Sequence, residues 1–219
     1  MARIFGEPVG LFITIEGIEG SGKSTQMGLL KGYLEGKGMG VVAIREPGGT
    51  PLGERIRSML LNAEGEGMTP LAELFLYEAS RAQLISDVIA PALEAGVAVI
   101  CDRYTDSTLA YQGYGRGLDK GEIELVNTAA TGGLAPALTL LIDLDPELGL
   151  KRAWSRISSK TGLKEDRFEK EEVAFHRRVR QGYLEIAGKE PGRVRVVDGR
   201  GEIMSIHADI CDIIDKTLG

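Results

Sequence analysis

The stretch GIEGSGKST, residues 17–25, decides the fold, and it directly follows the apolar run LFITIE at 11–16. It fits the pattern G-x-x-x-x-G-K-[ST] from Gly17 to Ser24. Its glycines leave backbone N–H groups open to phosphate oxygens and allow dihedral angles that other residues avoid. The pattern requires a strand before the loop and a helix after it, and the flanking sequence predicts both.

The loop therefore predicts a site for ATP or GTP with Mg²⁺, the alternative being a glycine-rich turn that matches by accident. The helix N-terminus faces the anion, Lys23 reaches the β- and γ-phosphates, and the Ser24 hydroxyl is a Mg²⁺ ligand. The predicted ATP-binding residues are Gly17, Ile18, Glu19, Gly20, Ser21, Gly22, Lys23, Ser24 and Thr25. Glu19 is the exception, because a carboxylate repels phosphate. It either points to solvent, pairs with an arginine such as Arg45 or Arg103, or serves another ligand.

Short apolar runs alternate with helical patterns along the whole chain. The predicted strands are 11–16, 41–45, 97–101, 138–144 and 193–197, and the predicted helices are 23–38, 52–61, 71–96, 146–157, 171–188 and 202–218. This alternation indicates βαβ units and a parallel sheet. We expect one three-layer α/β domain over residues 1–219, with about five parallel strands flanked by helices. Only the run at 193–197 alternates, which favours an edge position, and the helix at 71–96 is expected to break near Ser80 or Pro91.

Composition excludes several classes of protein. The net charge of −6 gives no basic field for nucleic acid. No apolar run reaches the ~18 residues that span a bilayer, and the first ten residues do not resemble a signal peptide. The two cysteines, Cys101 and Cys211, form no disulfide framework, which suits a reducing cytosol.

Arginines follow two of the predicted strands, where a parallel sheet gathers its ligands. REPGGT at 45–50 places Arg45 and two glycines where they could hold a second phosphate, or it is an ordinary turn. Asp102 could hold Mg²⁺ through water or orient Lys23, and Arg103 could bridge donor and acceptor phosphates. The alternative for Asp102 and Arg103 is a buried ion pair that only braces the site.

Residues 152–168 are polar and rich in cations, and they are predicted to form a short lid with a mobile loop at SSKTG. For most of its lysines and arginines, a solvated surface is the simpler interpretation. Arginines on a flap can neutralise a transferring phosphoryl group once the site closes. Separate cationic sites around one phosphate loop favour a kinase with a phosphorylated acceptor over a hydrolase.

Five motifs together resemble bacterial thymidylate kinases, in the subgroup with a glycine-containing phosphate loop and a catalytic arginine in the lid. They are GIEGSGKST, REPGGT, LFLYEASRAQL at 74–84, DRYTDSTLAYQG at 102–113 and DRFE at 166–169, and they cover most of residues 11–170. The resemblance implies a P-loop kinase fold and the reaction ATP + dTMP → ADP + dTDP in dTTP biosynthesis. It also implies Mg²⁺ and a homodimer, and the composition predicts a cytoplasmic protein with no nucleic-acid or membrane partner.

The same resemblance assigns roles to individual residues. It places Arg45 and Arg103 on the dTMP phosphate, Tyr77 on the thymine face and Arg81 on a base carbonyl. Thr108 and Gln112 fall near the base, and Tyr111 falls near the 2′ position of the sugar. Glu19 faces dTMP through its 3′-hydroxyl or through an arginine. The implied catalytic residues are Lys23, Asp102, Arg103, Arg156 and Arg167, and the implied metal residues are Ser24 and Asp102.

Two other functions remain as alternatives. Another nucleoside monophosphate kinase, acting on a purine nucleotide, CMP or UMP, would differ at Tyr77, Arg81 and Tyr111. An ATP-driven switch would instead hydrolyse ATP slowly when stimulated by a protein or DNA partner. The acidic composition and the mixed charges of RFEKEEVAFHRR argue against a DNA-binding face.

Overall fold

The structure, a computed structural model, describes residues 10–61, 67–158, 167–169 and 171–218, apart from the side chains of 156–158. Five parallel strands form one sheet in the order β2-β3-β1-β4-β5. The strands are β1 Phe12–Glu16, β2 Val41–Arg45, β3 Ala98–Asp102, β4 Leu138–Asp143 and β5 Val194–Asp198. The predicted parallel sheet and the edge position of β5 are confirmed, and β2 forms the other edge.

Helices connect the strands. They are α1 Lys23–Gly36, α2 Pro51–Leu61, α3 Pro70–Leu84, α4 Ala90–Glu94, α5 Thr105–Thr108, α6 Lys120–Thr131, α7 Pro146–Ser158, α8 Val173–Lys189 and α9 Ile203–Leu218. Two π-helical segments occupy Ile85–Ile89 and Leu109–Gly115. The apolar patterns did not indicate α5, α6 or the second π-helical segment. At the start of α6, the Asp119 carboxylate accepts from the Glu122 N–H at 3.0 Å, which satisfies a backbone donor that the helix leaves free.

The central strand β1 is buried along its whole length and contributes to hydrophobic clusters on both faces of the sheet. Ile13 and Ile15 pack with residues of α1 and α9, including Leu30 and Ile210. Phe12 packs on the opposite face with residues of α3, α4 and the π-helical segment between them. Burying each such side chain stabilises the fold by about 1.5–3 kcal/mol. The three-layer arrangement therefore follows from one strand with apolar residues on both of its faces.

The predicted break in the helix at 71–96 lies next to Pro91. The π-helical segment Ile85–Ile89 separates α3 from α4, and Pro91 is in the first turn of α4. Proline has no N–H to donate to the preceding turn, and a π-helical turn accommodates such a fault in the hydrogen-bond ladder. Ser80, the other predicted position, lies inside α3, and the helix continues through it.

The strand order places two loops side by side at the centre of the sheet. β1 and β3 are neighbours, with Ile15 opposite Asp102, so the loop after Glu16 and the turn after Asp102 leave the sheet at the same edge. This is the edge at which parallel α/β sheets bind ligands. Within the described part of the chain, no helix has the length and apolar character needed to cross a bilayer.

Candidate active site

The loop between β1 and α1 owes its shape to glycines with positive φ. Gly20 has φ +71°, and a Cβ there would lie 2.0 Å from the carbonyl oxygen of Gly149 on α7. Gly22 has φ +99°, and a Cβ there would meet nothing within 4 Å. Gly20 is thus required by close packing against α7. Gly22 adopts a left-handed conformation beside open space at the start of α1, where a phosphate can approach the backbone.

Lys23 and Ser24 begin α1 at the mouth of this loop. The Lys23 ammonium donates back to the carbonyl oxygens of Gly17, at 2.9 Å, and Ile18, at 2.8 Å. Burial, followed by the repulsion of the Arg103 cation, lowers the pKa of Lys23 to about 8. The Ser24 hydroxyl donates to Oδ2 of Asp102 at 3.0 Å. Asp102 at the end of β3 therefore touches the phosphate loop, as the sequence predicts.

Arg103 holds four side chains together from a backbone with φ +76°, the only positive φ outside glycine among the described residues. Its Nη1 donates to the hydroxyls of Ser107 and Tyr183, and its Nη2 donates to Glu19 and Tyr111. The guanidinium also lies over the Tyr111 ring, 4.8 Å from its centroid. A left-handed backbone is unfavourable for arginine, and such strain is typical of functional sites.

Behind Arg103 lies a carboxylate at the end of β1. Glu16 is buried and accepts from the Tyr104 N–H at 2.7 Å, the Ser107 hydroxyl at 2.6 Å and the Tyr183 hydroxyl at 3.0 Å. Burial and the nearby Asp106 carboxylate raise the pKa of Glu16 to about 7. Ser107 and Tyr183 are also two of the partners of Arg103, so Glu16 orients the guanidinium through them.

Glu19 pairs with Arg103, which was one of the alternatives for this carboxylate. Its Oε1 accepts from Arg103 at 2.8 Å and from the Tyr111 hydroxyl at 2.6 Å. Its Oε2 lies 3.2 Å from Nδ1 of His176. Burial acts to raise the pKa of Glu19, but Arg103, His176 and Lys23 together hold that pKa well below its usual range. Glu19 is therefore an ionised carboxylate directed at Arg103 and Tyr111.

Arg81 lies at the opposite end of the site and is fully buried. Its guanidinium pairs with Glu46, at 2.7 Å from Nη2, and with Glu78 one turn earlier on α3. Nη1 also donates to Oδ1 of Asn127 at 2.9 Å. Burial acts to lower the pKa of Arg81, but the two carboxylates raise it above its usual range. This arginine is fixed in place as a buried cation.

Another buried carboxylate, Glu73 on α3, joins Gln112 to the segment 167–169. It accepts from Gln112 at 2.8 Å, from Arg167 at 2.6 Å and from Arg116 at 3.3 Å. Gln112 must point its Nε2 at Glu73, since an ionised carboxylate only accepts. The orientation of the Gln112 amide is thus fixed by α3.

One cavity of about 570 Å³ brings the predicted residues together. All of the predicted dTMP-binding residues line it, namely Glu19, Arg45, Tyr77, Arg81, Arg103, Thr108, Tyr111 and Gln112. The phosphate-loop residues Gly20, Gly22, Lys23, Ser24 and Thr25 line it as well, together with Asp102. Gly17, Ile18 and Ser21 belong to the loop but do not line the cavity, and Ile18 and Ser21 are buried. Among the described residues no group of three or more metal-ligating side chains occurs.

The two predicted lid arginines have different outcomes. The side chain of Arg156 lies outside the described residues, as does most of the predicted loop at SSKTG. Arg167 is not among the cavity-lining residues. It donates to the Leu60 carbonyl oxygen at 3.1 Å and to Glu73, which braces the acceptor side. A catalytic role for either arginine stays a prediction.

Sequence reasoning missed several residues of the site. Arg57 and Ser58 on α2, and Phe168 and Glu169 after Arg167, also line the cavity. Arg57 lies seven residues after REPGGT, in the second turn of α2, and its Nη1 donates to the Pro47 carbonyl oxygen at 3.1 Å. The spacing between Arg45 and Arg57 could have indicated from the sequence that Arg57 belongs to the site. Nothing in the local sequence around His176 indicates its contact with Glu19.

Comparisons with known proteins agree with this geometry. A family model described as thymidylate kinase matches residues 15–210. The thymidylate kinase of Citrifermentans bemidjiense is 55% identical over 195 residues, which cover 89% of this chain and 87% of that protein. The thymidylate kinase of Desulfosudis oleivorans is 52% identical over 207 residues, covering 94% and 97%. A crystal structure of thymidylate kinase from Ehrlichia chaffeensis superposes with a TM-score of 0.75 at 35% identity, covering 94% and 98%.

These relatives match nearly the whole chain, including the phosphate loop, the turn after β3 and the acceptor side of the cavity. The family model alone spans far more than half of the sequence. The chain therefore belongs to the thymidylate kinase family.

Proposed function

We propose that this chain transfers the γ-phosphoryl group of ATP to dTMP at the cavity described above, with Mg²⁺ as its metal ion. As a thymidylate kinase the chain phosphorylates dTMP to dTDP. The observation that carries the assignment of the site is that one cavity has the phosphate loop at one end and the buried Arg81 at the other. Arg103 contacts Glu19 of the loop and Tyr111 of the acceptor side, which supports its assignment to a position between the two nucleotides.

On the donor side, we assign the ATP phosphates to the backbone of the loop and to the N-terminus of α1. Lys23 now donates to carbonyl oxygens of its own loop, and a triphosphate offers it stronger, charged acceptors. Ser24 and Asp102 suit Mg²⁺, because both offer hard oxygen atoms and Mg²⁺ fills its other positions with water and phosphate. When bound, the metal ion neutralises charge on the phosphates.

On the acceptor side, the hydrogen-bond inventory matches a thymine ring. Arginine has five N–H donors, and Arg81 gives three of them in hydrogen bonds to Glu46, Glu78 and Asn127. Its Nη2 lies 2.7 Å from Glu46 and has an N–H left for a base carbonyl. Gln112 gives its amide N–H to Glu73, which leaves its Oε1 free to accept from the ring N3–H. Tyr77 supplies a flat face for stacking, at little cost in side-chain entropy.

The acceptor phosphate is assigned to Arg45 and Arg103. Arg45 is half exposed and pairs with Glu54 at 3.2 Å, a contact that a phosphate dianion can displace. Arg103 then neutralises charge on the group in transfer, while Lys23 holds the γ-phosphate. An oxygen of dTMP attacks the phosphorus in line. That oxygen is already anionic, so positioning and charge neutralisation supply the catalysis and no general base is needed.

We further propose a homodimer in the cytoplasm. Leu71 and Phe75 are exposed one turn apart on α3, and Met59 on α2 and Leu125 on α6 are also exposed. Both α2 and α6 pack against α3, so these apolar side chains belong to adjoining helices, as an interface between copies requires. Cys101 and Cys211 are both free thiols, which suits a reducing compartment.

A coupled assay for ADP tests the reaction. The purified chain with ATP and Mg²⁺ is given dTMP, dUMP, CMP, GMP or no acceptor, and ADP formation should depend strictly on the acceptor and be fastest with dTMP. Faster turnover with CMP or GMP would contradict the assigned acceptor. Slow ATP hydrolysis without any acceptor, stimulated by DNA or a protein, would instead favour an ATP-driven switch.

A further inference from the structure

His176 on α8 is fully buried, and each of its ring nitrogens faces an oxygen. Nε2 lies 3.0 Å from the carbonyl oxygen of Phe168, and Nδ1 lies 3.2 Å from Oε2 of Glu19. A carbonyl oxygen and an ionised carboxylate only accept hydrogen bonds. A ring that is protonated on both nitrogens presents a proton to each oxygen, whereas either neutral tautomer sets a nitrogen lone pair against an oxygen.

We propose that His176 is a positioning residue for phosphoryl transfer, acting through Glu19. Nδ1 of His176 lies 3.2 Å from Oε2 of Glu19, within ion-pair distance, while Oε1 accepts from Arg103 and Tyr111. The carboxylate therefore faces α8 with one oxygen and the two acceptor-side groups with the other. The inference rests on the proposed function, in which Arg103 neutralises the group in transfer.

The surrounding charges support this assignment. Glu19 faces two more cations, Arg103 and Lys23, and both belong to the site itself. They are the groups that ATP and dTMP engage in the proposed reaction, so their pull on Glu19 changes when the nucleotides bind. His176 takes no part in substrate binding, since it does not line the cavity. His176 is thus the partner that keeps Glu19 in place while Arg103 and Lys23 engage the nucleotides.

His176 also connects the loop to the segment 167–169. Its Nε2 contact is with the carbonyl of Phe168, and Phe168 packs edge-on against Tyr111, 5.4 Å between ring centroids. One imidazole therefore links the phosphate loop, α8 and the end of the predicted lid. A substitution that keeps only one of the two contacts separates their roles.

A matched pair of variants makes that separation. In His176→Asn the side-chain amide reaches the position of Nδ1 and can still donate to Glu19. In His176→Gln the amide reaches the position of Nε2 and contacts Phe168, which leaves Oε2 of Glu19 unpaired. We expect His176→Gln to lower kcat with dTMP about 10–100-fold, the usual effect of an unpaired buried charge, with the KM for ATP little changed. His176→Asn should retain kcat within about threefold of the wild type.

His207→Gln on α9 is the control, because His207 is remote from these contacts and lies near Tyr33 and Cys211. Its kcat should equal that of the wild type. Equal losses in His176→Asn and His176→Gln, or no loss in either, would overturn the proposed contact with Glu19.

A second measurement does not depend on activity. The chain has two histidines, so ¹⁵N NMR of the wild-type imidazoles gives two sets of ring signals, and His207→Gln assigns them. Nδ1 of His176 should carry a proton where it faces Oε2 of Glu19, and an unprotonated Nδ1 would overturn the inference. Absence of dTMP turnover by the wild type would instead refute the proposed function and leave this signature unaffected.

Discussion

Two substitutions that remove the Arg103 side chain should separate its effect on kcat from the effect of its backbone on stability. Arg103→Ala and Arg103→Gly both delete the guanidinium and its four hydrogen bonds. A missing arginine at a transferring phosphoryl group costs about 10³–10⁵ in kcat, and both variants should lose that much. Both should also lose about 3 kcal/mol of stability, the low end for a broken buried pair, because Tyr111 and His176 still contact Glu19.

The two variants should differ in stability because of the backbone. Alanine at φ +76° retains the unfavourable left-handed conformation, whereas glycine adopts it freely, so Arg103→Gly should be the more stable by about 1 kcal/mol. For a chain of this length that difference corresponds to a rise in Tm of about 2–4 °C. Thermal unfolding by calorimetry and the coupled ADP assay measure the two effects on the same samples.

Two results would refute this reasoning. Turnover of Arg103→Ala within about tenfold of the wild type would remove Arg103 from the reaction. A glycine variant no more stable than the alanine variant would mean that the left-handed backbone at this position carries no strain.

Three further outcomes are expected. A bound triphosphate should raise the pKa of Lys23, which is about 8 in the free protein. The affinity for ATP should therefore be greatest below that pH and should fall by up to about tenfold per pH unit above it. A Kd from calorimetry that is constant between pH 7 and 9.5 would contradict this. Glu19→Ala should raise the KM for dTMP far more than the KM for ATP in steady-state kinetics, and the reverse pattern would place this carboxylate on the donor side. Phe75→Glu should convert the proposed homodimer to a monomer in light scattering after size exclusion, with Thr128→Ser on the exposed face of α6 as a control that leaves the mass unchanged.

The parts of the site that sequence reasoning found are those whose chemistry is local. Gly22 and Lys23 are constrained by the phosphate that they approach, so a few residues identify the loop. Asp102 and Arg103 were found because a parallel sheet delivers its strand ends to one edge, and a strand can be recognised from its own apolar run. The five strands follow for the same reason.

The remainder depends on contacts between distant residues. Arg167 meets Glu73 across 94 residues, and nothing near either residue indicates that the two form an ion pair. The contact between His176 and Glu19 exists only because α8 packs beside the phosphate loop. Helix α6 and the segment Leu109–Gly115 were missed since their polar and apolar residues do not follow a clear helical period. Position in the tertiary structure, and not residue type, gives these groups their roles.

Glu19 has a consequence for how the two nucleotides affect each other. Its backbone belongs to the loop assigned to ATP, and its side chain holds Arg103, which is assigned to dTMP. A change in either half is transmitted to the other through one residue. Thermodynamic linkage then makes the effect mutual, so if dTMP alters the affinity for ATP by some factor, ATP alters the affinity for dTMP by the same factor. We therefore expect the supply of each nucleotide to set how tightly the enzyme retains the other.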